Sequence, residues 1–399
     1  MRRACSPAAR LLAGGAPAGA STFTVANCAD TGVGSLREAL SDAAGNPGPD
    51  EIVVDTTCPA TSPVALTSEL LISAGDVTIT GPGADAFVLD GGDAVRIFRV
   101  STVGDVVISG MTLRHGYSSG SGGAVFLNQA ASLTLSGVVV ADSHGLFGGG
   151  LYANGGDTGS LTIVDSEFVG NSADAGGALY LANDGGITIS SSTFVGNEAA
   201  TSSGAIGVYG ANGAFTMTNS TVTGNTAGGR GGGVFLSGLY GPVTFLFDTF
   251  ADNHAAEAGG LDARELSNTI TIAGSVFTGN DGDQVRIGAG WTVVEYANDV
   301  HGTVVGFTPA ASDLDVDPQL GPLDENGGPT RTRALAATSP VIGAGPISWP
   351  SFGGDGFDQR GAPFARVTGG RADMGAFERQ PEPTPEPTPE PTPEPTFTG

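Results

Sequence analysis

"EFVGNSADAGGALYL", residues 167–181, decides the fold. It sets an aromatic, an asparagine three residues later, and a glycine pair running into an apolar patch. A glycine pair ahead of an apolar run also suits a phosphate-cradling loop, but such a loop serves a single site. This motif recurs. "TFVGN" (193–197) leads to "SGAIGV" (203–208), "TVTGN" (221–225) to "GGGVFL" (231–236), and "TFADN" (249–253) to "GGLDA" (259–263). "VFTGN" (276–280) closes the series; "GGAVFL" (122–127), "VVADS" (139–143) and "GGGLYA" (148–153) precede it. The apolar anchors are Leu113, Val140, Phe168, Phe194, Val222, Phe250 and Phe277, at steps of 27, 28, 26, 28, 28 and 27 residues. A near-constant step marks a structural repeat.

Each repeat carries three strand signals. One is the run after the glycine pair, and one is centred on the anchor. The third lies upstream of the anchor, as in "DVTIT" (76–80), "SLTLS" (132–136), "SLTIV" (160–164), "GITIS" (186–190) and "TITIA" (269–273), alternating apolar and polar with the period of a half-buried strand. Such a unit cannot bury its apolar face alone, but stacked copies can. The fold class expected is all-β: a right-handed parallel β-helix with three strands and about 27 residues per coil, and eight or so coils about 4.8 Å apart. Stacking assigns the recurring residues. Phe168, Phe194, Phe250 and Phe277 form an interior column. Asn171, Asn197, Asn225, Asn253 and Asn280 form an amide ladder at one turn, where asparagine also tolerates a left-handed backbone. The glycine pairs make the other corner.

Residues 1–20 have a basic start, an apolar middle and an Ala-Gly-Ala end, the pattern of a secretory signal. Its removal takes Cys5 and leaves Cys28 and Cys58, a pair that fits one disulfide made outside the cytoplasm. Residues 21–75 form an N-terminal cap. Its helix, 35–44, has a Ser35/Glu38 capping box, one apolar face (Leu36, Ala39, Leu40, Ala43) and a stop at Gly45 and Pro47. Repeats occupy 76–300. Residues 301–379 lose the period and are expected to form the last coils and a far cap. Residues 380–399, with "PEPTPEPTPEPTPEPT", read as an extended, disordered stalk.

Of 399 residues, 66 are glycine and 24 proline. All 16 basic residues are arginine, and the net charge is −25. Such a field disfavours nucleic acid and anionic membranes as partners. No apolar run reaches the length of a spanning helix. A secreted or surface location and a monomer are expected.

The "FxxN" and "GGA(I/L/V)" pairs resemble the repeats of chlamydial polymorphic outer-membrane proteins and related bacterial surface β-helices. "NCADTGVGSLREAL" (27–40) resembles the Cys-Ser-Leu-Arg-Glu-Ala domain that precedes such β-helices, with Cys28 seven residues before Ser35 rather than beside it. "DPQLGPLDENGGPTRTRALAATSPVIGAG" and "DQRGAPFARVTGGRADMGAFE" resemble the choice-of-anchor Q region, with Gly343 where that family usually has Asp and Arg333 where it often has His. The resemblance covers residues 22–379. It implies a secreted or surface-displayed bacterial protein, often without an assigned activity. A sorting signal regularly follows in that family; this sequence has no LPxTG-like motif, which leaves a released, partner-held or truncated protein.

The outward position after each glycine pair reads Phe126, Tyr152, Tyr180, Gly207, Phe235, Asp262 and Arg286. Phe126, Tyr152, Tyr180 and Phe235 are the candidate ligand-binding residues, because aromatic faces stack on sugars and proteins. A polysaccharide or a surface protein is the partner expected. The enzyme alternative, a polysaccharide lyase or hydrolase, needs clustered carboxylates or a basic group on one face. It rests on Asp262, Arg264, Glu265 and Arg286, with an ion pair expected between Asp262 and Arg286. A structural spacer without ligand is the third reading. A threonine column (Thr78, Thr134, Thr162, Thr188, Thr216, Thr244, Thr271) lies beside a mixed one, which argues against an ice-binding face. "DLDVDP" (313–318) and the four histidines match no metal-ligand spacing. No metal or cofactor is expected.

Overall fold

The computed structural model describes residues 19–73, 75–128, 132–154, 159–182, 185–265, 268–347 and 356–381. Residues 1–18 of the expected signal and the stalk beyond residue 381 lie outside the described residues.

The chain winds into a parallel β-helix. Successive coils pair in register: Leu161 beside Ile187, Ile187 beside Phe215, Phe215 beside Val243, Val243 beside Ile270. The first two strands of the coils build a 19-stranded sheet that folds at a bend. The third strand, after the glycine pair, builds a ten-stranded sheet running from Leu70–Ile72 to Val304–Val305. A short four-stranded sheet (His144–Phe147, Ser172–Ala175, Glu198–Ser202, Thr226–Ala227) adds a fourth side to the middle coils. It escaped the sequence reading because its Ala and Ser residues carry little alternation.

The interior is as expected. Phe168 and Phe194 stack at 5.1 Å, and Phe250 and Phe277 at 4.6 Å, all fully buried. Val222 fills the intervening coil. The five asparagines also stack, but facing inward: Asn171, Asn197, Asn225 and Asn253 are fully buried. Each Nδ2 donates to the Oδ1 of the next coil's asparagine at 2.8–3.0 Å, and Asn280 ends the series on Gln284 Oε1. The left-handed backbone falls one residue earlier, on Gly170, Gly196, Gly224, Asp252 and Gly279, with φ between 56° and 66°. Glycine therefore bends the chain and frees asparagine to satisfy buried backbone groups. In the pair at the other corner, Gly176 has φ 68°, and a β-carbon on Gly177 would lie 2.2 Å from Gly204 O.

A second ladder marks the bend between the first two strands. Ser166, Ser192, Ser220 and Ser275 are buried, each Oγ accepts from the backbone N–H of the preceding coil, and Asp248 replaces serine in one coil. Burial pushes the Asp248 carboxyl well above its ordinary range.

The helix spans Leu36–Gly45, with Leu36, Ala39, Leu40 and Ala43 buried against the first coils. Ser35 Oγ accepts from Glu38 N, and Glu38 Oε2 accepts from Gly34 N, one residue earlier than in the usual box. Cys28 and Cys58 form a disulfide.

The C-terminal segment departs from the expected far cap. After a last partial coil, in which Asp299 pairs with Leu314, residues 320–347 and 356–379 lie back along the flank as a strap. The outward column Glu167, Thr193, Thr221, Thr249 receives it. Arg331 pairs with Glu167 at 2.9 Å; Gln359 donates to Thr193 Oγ1 and accepts from Thr221 Oγ1; Ala376 N donates to Thr249 Oγ1. Within the strap, Arg360 lies between Phe364 and Phe377, at 3.8 and 3.9 Å from the ring centres, and holds Asp358 at 2.6 Å. Of the two departures from the anchor-region pattern, Arg333 pairs with Asp252 and Gly343 N donates to Asp373 Oδ1.

Candidate functional site

Alternation sets the site. Leu179 and Leu181 point inward and are fully buried, so Tyr180 between them points out. The ten-stranded sheet aligns the same position in every coil: Leu71, Arg99, Phe126, Tyr152, Tyr180, Gly207, Phe235, Asp262, Arg286, Val305. The column read from sequence is the column observed.

Its chemistry differs from the expectation in four respects. First, the ring series does not break at Gly207. Tyr209, two residues on, leans over the gap, 4.3 Å from Tyr180 and 5.7 Å from Phe235, and Ser202 and Ser203 hold its hydroxyl at 2.9 and 2.8 Å. A β-carbon on Gly207 would meet the Tyr209 ring at 2.6 Å, so the empty position and the leaning ring require each other.

Second, the rings stack on one another. Phe126 and Tyr152 are 5.5 Å apart with planes 3° from parallel; Tyr152 and Tyr180 are 5.4 Å apart at 18°. Each ring spends its faces on its neighbours and turns its edge outward. Burial, and then the neighbouring Tyr209 and Tyr152, push the Tyr180 phenol up to about 12. Third, Phe235 is only 6% exposed and leaves the accessible strip.

Fourth, the expected Asp262–Arg286 ion pair does not form, although the two residues are register partners. Arg286 turns to Asp283 at 2.5 Å. Asp262 is closed to solvent and takes Arg264 Nε at 2.8 Å; burial raises its carboxyl above the ordinary value. Glu265 follows the strand Ala258–Arg264 in a left-handed conformation and accepts from Ser237 Oγ instead. The fuller cluster is Arg264 and Arg230 holding Glu257 between them. Glu257 escaped the sequence reading because it lies on the corner before the glycines, outside the aligned column.

The opposite end of the strip repeats this arrangement. Glu69 takes Arg96 at 2.5 Å and Arg99 at 3.6 Å, and both guanidiniums lie over the Phe126 ring, at 4.9 and 5.7 Å. Beside it, Thr67, Glu69, Arg96, Tyr117 and Ser118 line a hollow of 380 Å³. Across the glycine corner the apolar surface continues. Tyr117, Leu146 and Phe147 are 36–40% exposed, with Tyr117 stacked on His144 at 5.8 Å and Phe147 tilted against Tyr180 at 5.1 Å.

The threonine column is aligned as read, but Thr244 is buried. Among the described residues no group of three or more His, Cys, Asp or Glu side chains is placed to hold a metal ion, and no helix is long and apolar enough to cross a membrane.

Residues 67–308 match the family model described as "Right handed beta helix region". The chain belongs to the right-handed β-helix family. The matched span of this β-helix runs from the first coil to just past the last strand of the ten-stranded sheet. The crystal structure of pectate lyase Pel9A is similar over 90% of this chain and 96% of its own, at 17% identity and a TM-score of 0.45. No curated protein matches the chain.

Proposed function

We propose that this β-helix is a secreted or surface-displayed, adhesin-like binding protein, and that its aromatic face engages a protein. The observation that carries this reading is the near-parallel stacking of Phe126, Tyr152 and Tyr180. Sugar rings stack on open aromatic faces. Here those faces are used within the column, and what is offered is a strip of ring edges and phenol hydroxyls flanked by exposed Tyr117, Leu146 and Phe147. A contiguous apolar patch rich in tyrosine and rimmed by arginines has the composition of a protein interface. The surface location is supported by the disulfide and by the resemblance to bacterial surface β-helices. The lyase or hydrolase alternative has less support, since Asp262 is closed to solvent and tied to Arg264.

Adhesion of beads coated with the chain tests the proposal. The beads are offered protein-coated surfaces, each other, and immobilised neutral and acidic glycans. Adhesion that depends on protein, and that falls at least ~tenfold when Phe126, Tyr152 and Tyr180 all become alanine, is the expected result. Adhesion to glycans alone, or release of unsaturated or reducing sugar ends, overturns it.

A further inference from the structure

We infer that residues 307–317 are a protonation-controlled latch, which closes the far end of the coil stack in acid and releases it as the solution turns alkaline. The observation behind it is where the last coil places its carboxyls. The interior position that holds Ile163, Ile189, Met217, Phe245 and Ile272 in successive coils holds Glu295 in the next. An ionised carboxyl at the end of an apolar column is costly unless it is paired.

Residues 307–317 cross that end and bond to it. Ala297 N donates to Ser312 Oγ at 3.2 Å, Asn298 N to Asp313 Oδ1 at 2.9 Å, Val300 N to Leu314 O at 3.0 Å, and Val316 N to Asp299 Oδ1 at 3.2 Å. At the centre of the closure, acid meets acid. Ala310 N is shared between Glu295 Oε2 at 3.2 Å and Asp313 Oδ2 at 2.8 Å, and a side-chain hydrogen bond joins the two carboxyls. Two ionised carboxylates have no hydrogen to share, so this contact requires a proton on one of them. Glu295 Oε1 and Asp299 Oδ2 are closed to solvent and have no hydrogen-bond partner among the described residues.

The groups around them add charge of the same sign. Asp299 faces Asp315 and Asp317 from the latch, with His301 of its own strand as counter-group, and His301 Nδ1 lies 3.2 Å from Asp315 Oδ1. The strands paired with theirs, Thr269–Ala273 and Val276–Thr278, carry no titratable side chain. Burial holds both carboxyls above their ordinary range, Asp299 at about 6 and Glu295 at about 8. Released, they return to ordinary values near ~4 and give up their protons. The closed form is therefore favoured fully in acid and loses that preference as pH rises through about 6 to about 8. Above that range Glu295, Asp299, Asp313, Asp315 and Asp317 are all charged and crowd one end against His301.

The packing leaves room for release. A hollow of 290 Å³ lined by Val300, Val304, Pro309, Asp313 and Leu314 parts the latch from the coil. Leu314 and Val316 touch the apolar cluster of Val341, Met374 and Phe377, which ties the latch to the strap. Opening frees the outer edge of the strand Asp299–His301, which Leu314 covers.

Amide hydrogen exchange of the full chain, followed by mass spectrometry from pH ~5.5 to pH ~8.5 and corrected for the intrinsic rate, tests this. Peptides covering residues 297–316 are expected to lose at least ~tenfold in protection over that range, while those covering the ladder from Asn171 to Asn253 keep theirs. Glu295→Gln with Asp299→Asn retains the acceptors for Ala310 N and Val316 N, and the new carboxamide donates to Asp313 without a titrating proton. This pair of substitutions should hold the change at residues 297–316 to less than ~threefold. Asp313→Asn supplies the donor from the latch side and should move the release to higher pH. An end segment that keeps its protection at pH ~8.5, or loses it only together with the coils, overturns the inference. So does a pH dependence that these substitutions leave unchanged.

Discussion

Tyr209 lies closer to Tyr180, at 4.3 Å between ring centres, than any register partner in the aromatic column does. It reaches that place from a neighbouring column because Gly207 leaves it open. Tyr209→Ala is expected to open a gap in the stack and free Ser202 and Ser203. The cost is about 2 kcal/mol, read as a lower midpoint in urea denaturation. Tyr209→Phe keeps the ring and costs only the hydroxyl contacts, about 1 kcal/mol.

The asparagine ladder makes a sharper prediction. Asn225 Oδ1 accepts from both the backbone N–H and the Nδ2 of Asn197, while its Nδ2 donates to Asn253 Oδ1 and Phe194 O. Asn225→Ala leaves several buried groups unpaired at once. A loss of about 3 kcal/mol or more is expected. Thr188→Ala, on the exposed outer face, should fall within about 0.5 kcal/mol of the parent. Equal losses at the two positions would show that the ladder is not what holds the corner.

Stability should fall, not rise, as the solution turns alkaline. Burial raises the carboxyls of Asp299 to about 6, Glu378 to about 7 and Glu295 to about 8. The unfolded chain gives up these protons near pH 4, so the folded chain holds more protons between there and pH ~8. The contribution of these groups is full below the ordinary carboxyl range and is lost as pH rises through about 6 to about 8. Calorimetry should give a higher Tm at pH ~5 than at pH ~8.5. Asp299→Asn keeps the acceptor for Val316 N and should flatten the lower part of that slope.

The strap should come loose before the coils do. Gln359→Ala removes its bonds to Thr193, Thr221 and Thr330 together. Arg360→Lys forfeits both the carboxylate fork on Asp358 and the fit between Phe364 and Phe377. The chain has no lysine, so trypsin reports on arginines alone, and six of the 16 lie at or beyond Arg331. Both variants should speed cleavage there while the coil fragment persists. Simultaneous loss of coil and strap would contradict the picture of a separable layer.

These contacts also show where sequence reading stops. The step of about 27 residues, the interior phenylalanines and the outward column from Phe126 to Arg286 were legible, because stacking copies each position onto the next. Tyr209 was not: its place depends on a side chain that Gly207 lacks. The serine ladder was hidden because serine is common on both buried and exposed positions. Arg264 and Arg286 take Glu257 and Asp283 as partners, and neither acid lies in the outward column. The strap was the largest omission. Its bonds join residues 138 apart, as between Thr221 and Gln359, and no period marks them.

The strap decides how the molecule bears load. Gln380 leaves the body beside Ala365, on the flank, and not at the end of the last coil. A pull on the chain beyond that point acts first on Glu378, Arg360 and Gln359, one contact after another, as a zip is opened. The disulfide-stapled cap and the stacked coils keep their fold until residues 320–379 have paid out, a slack of about 200 Å. The flank layer is therefore expected to yield length under force while the aromatic face stays folded.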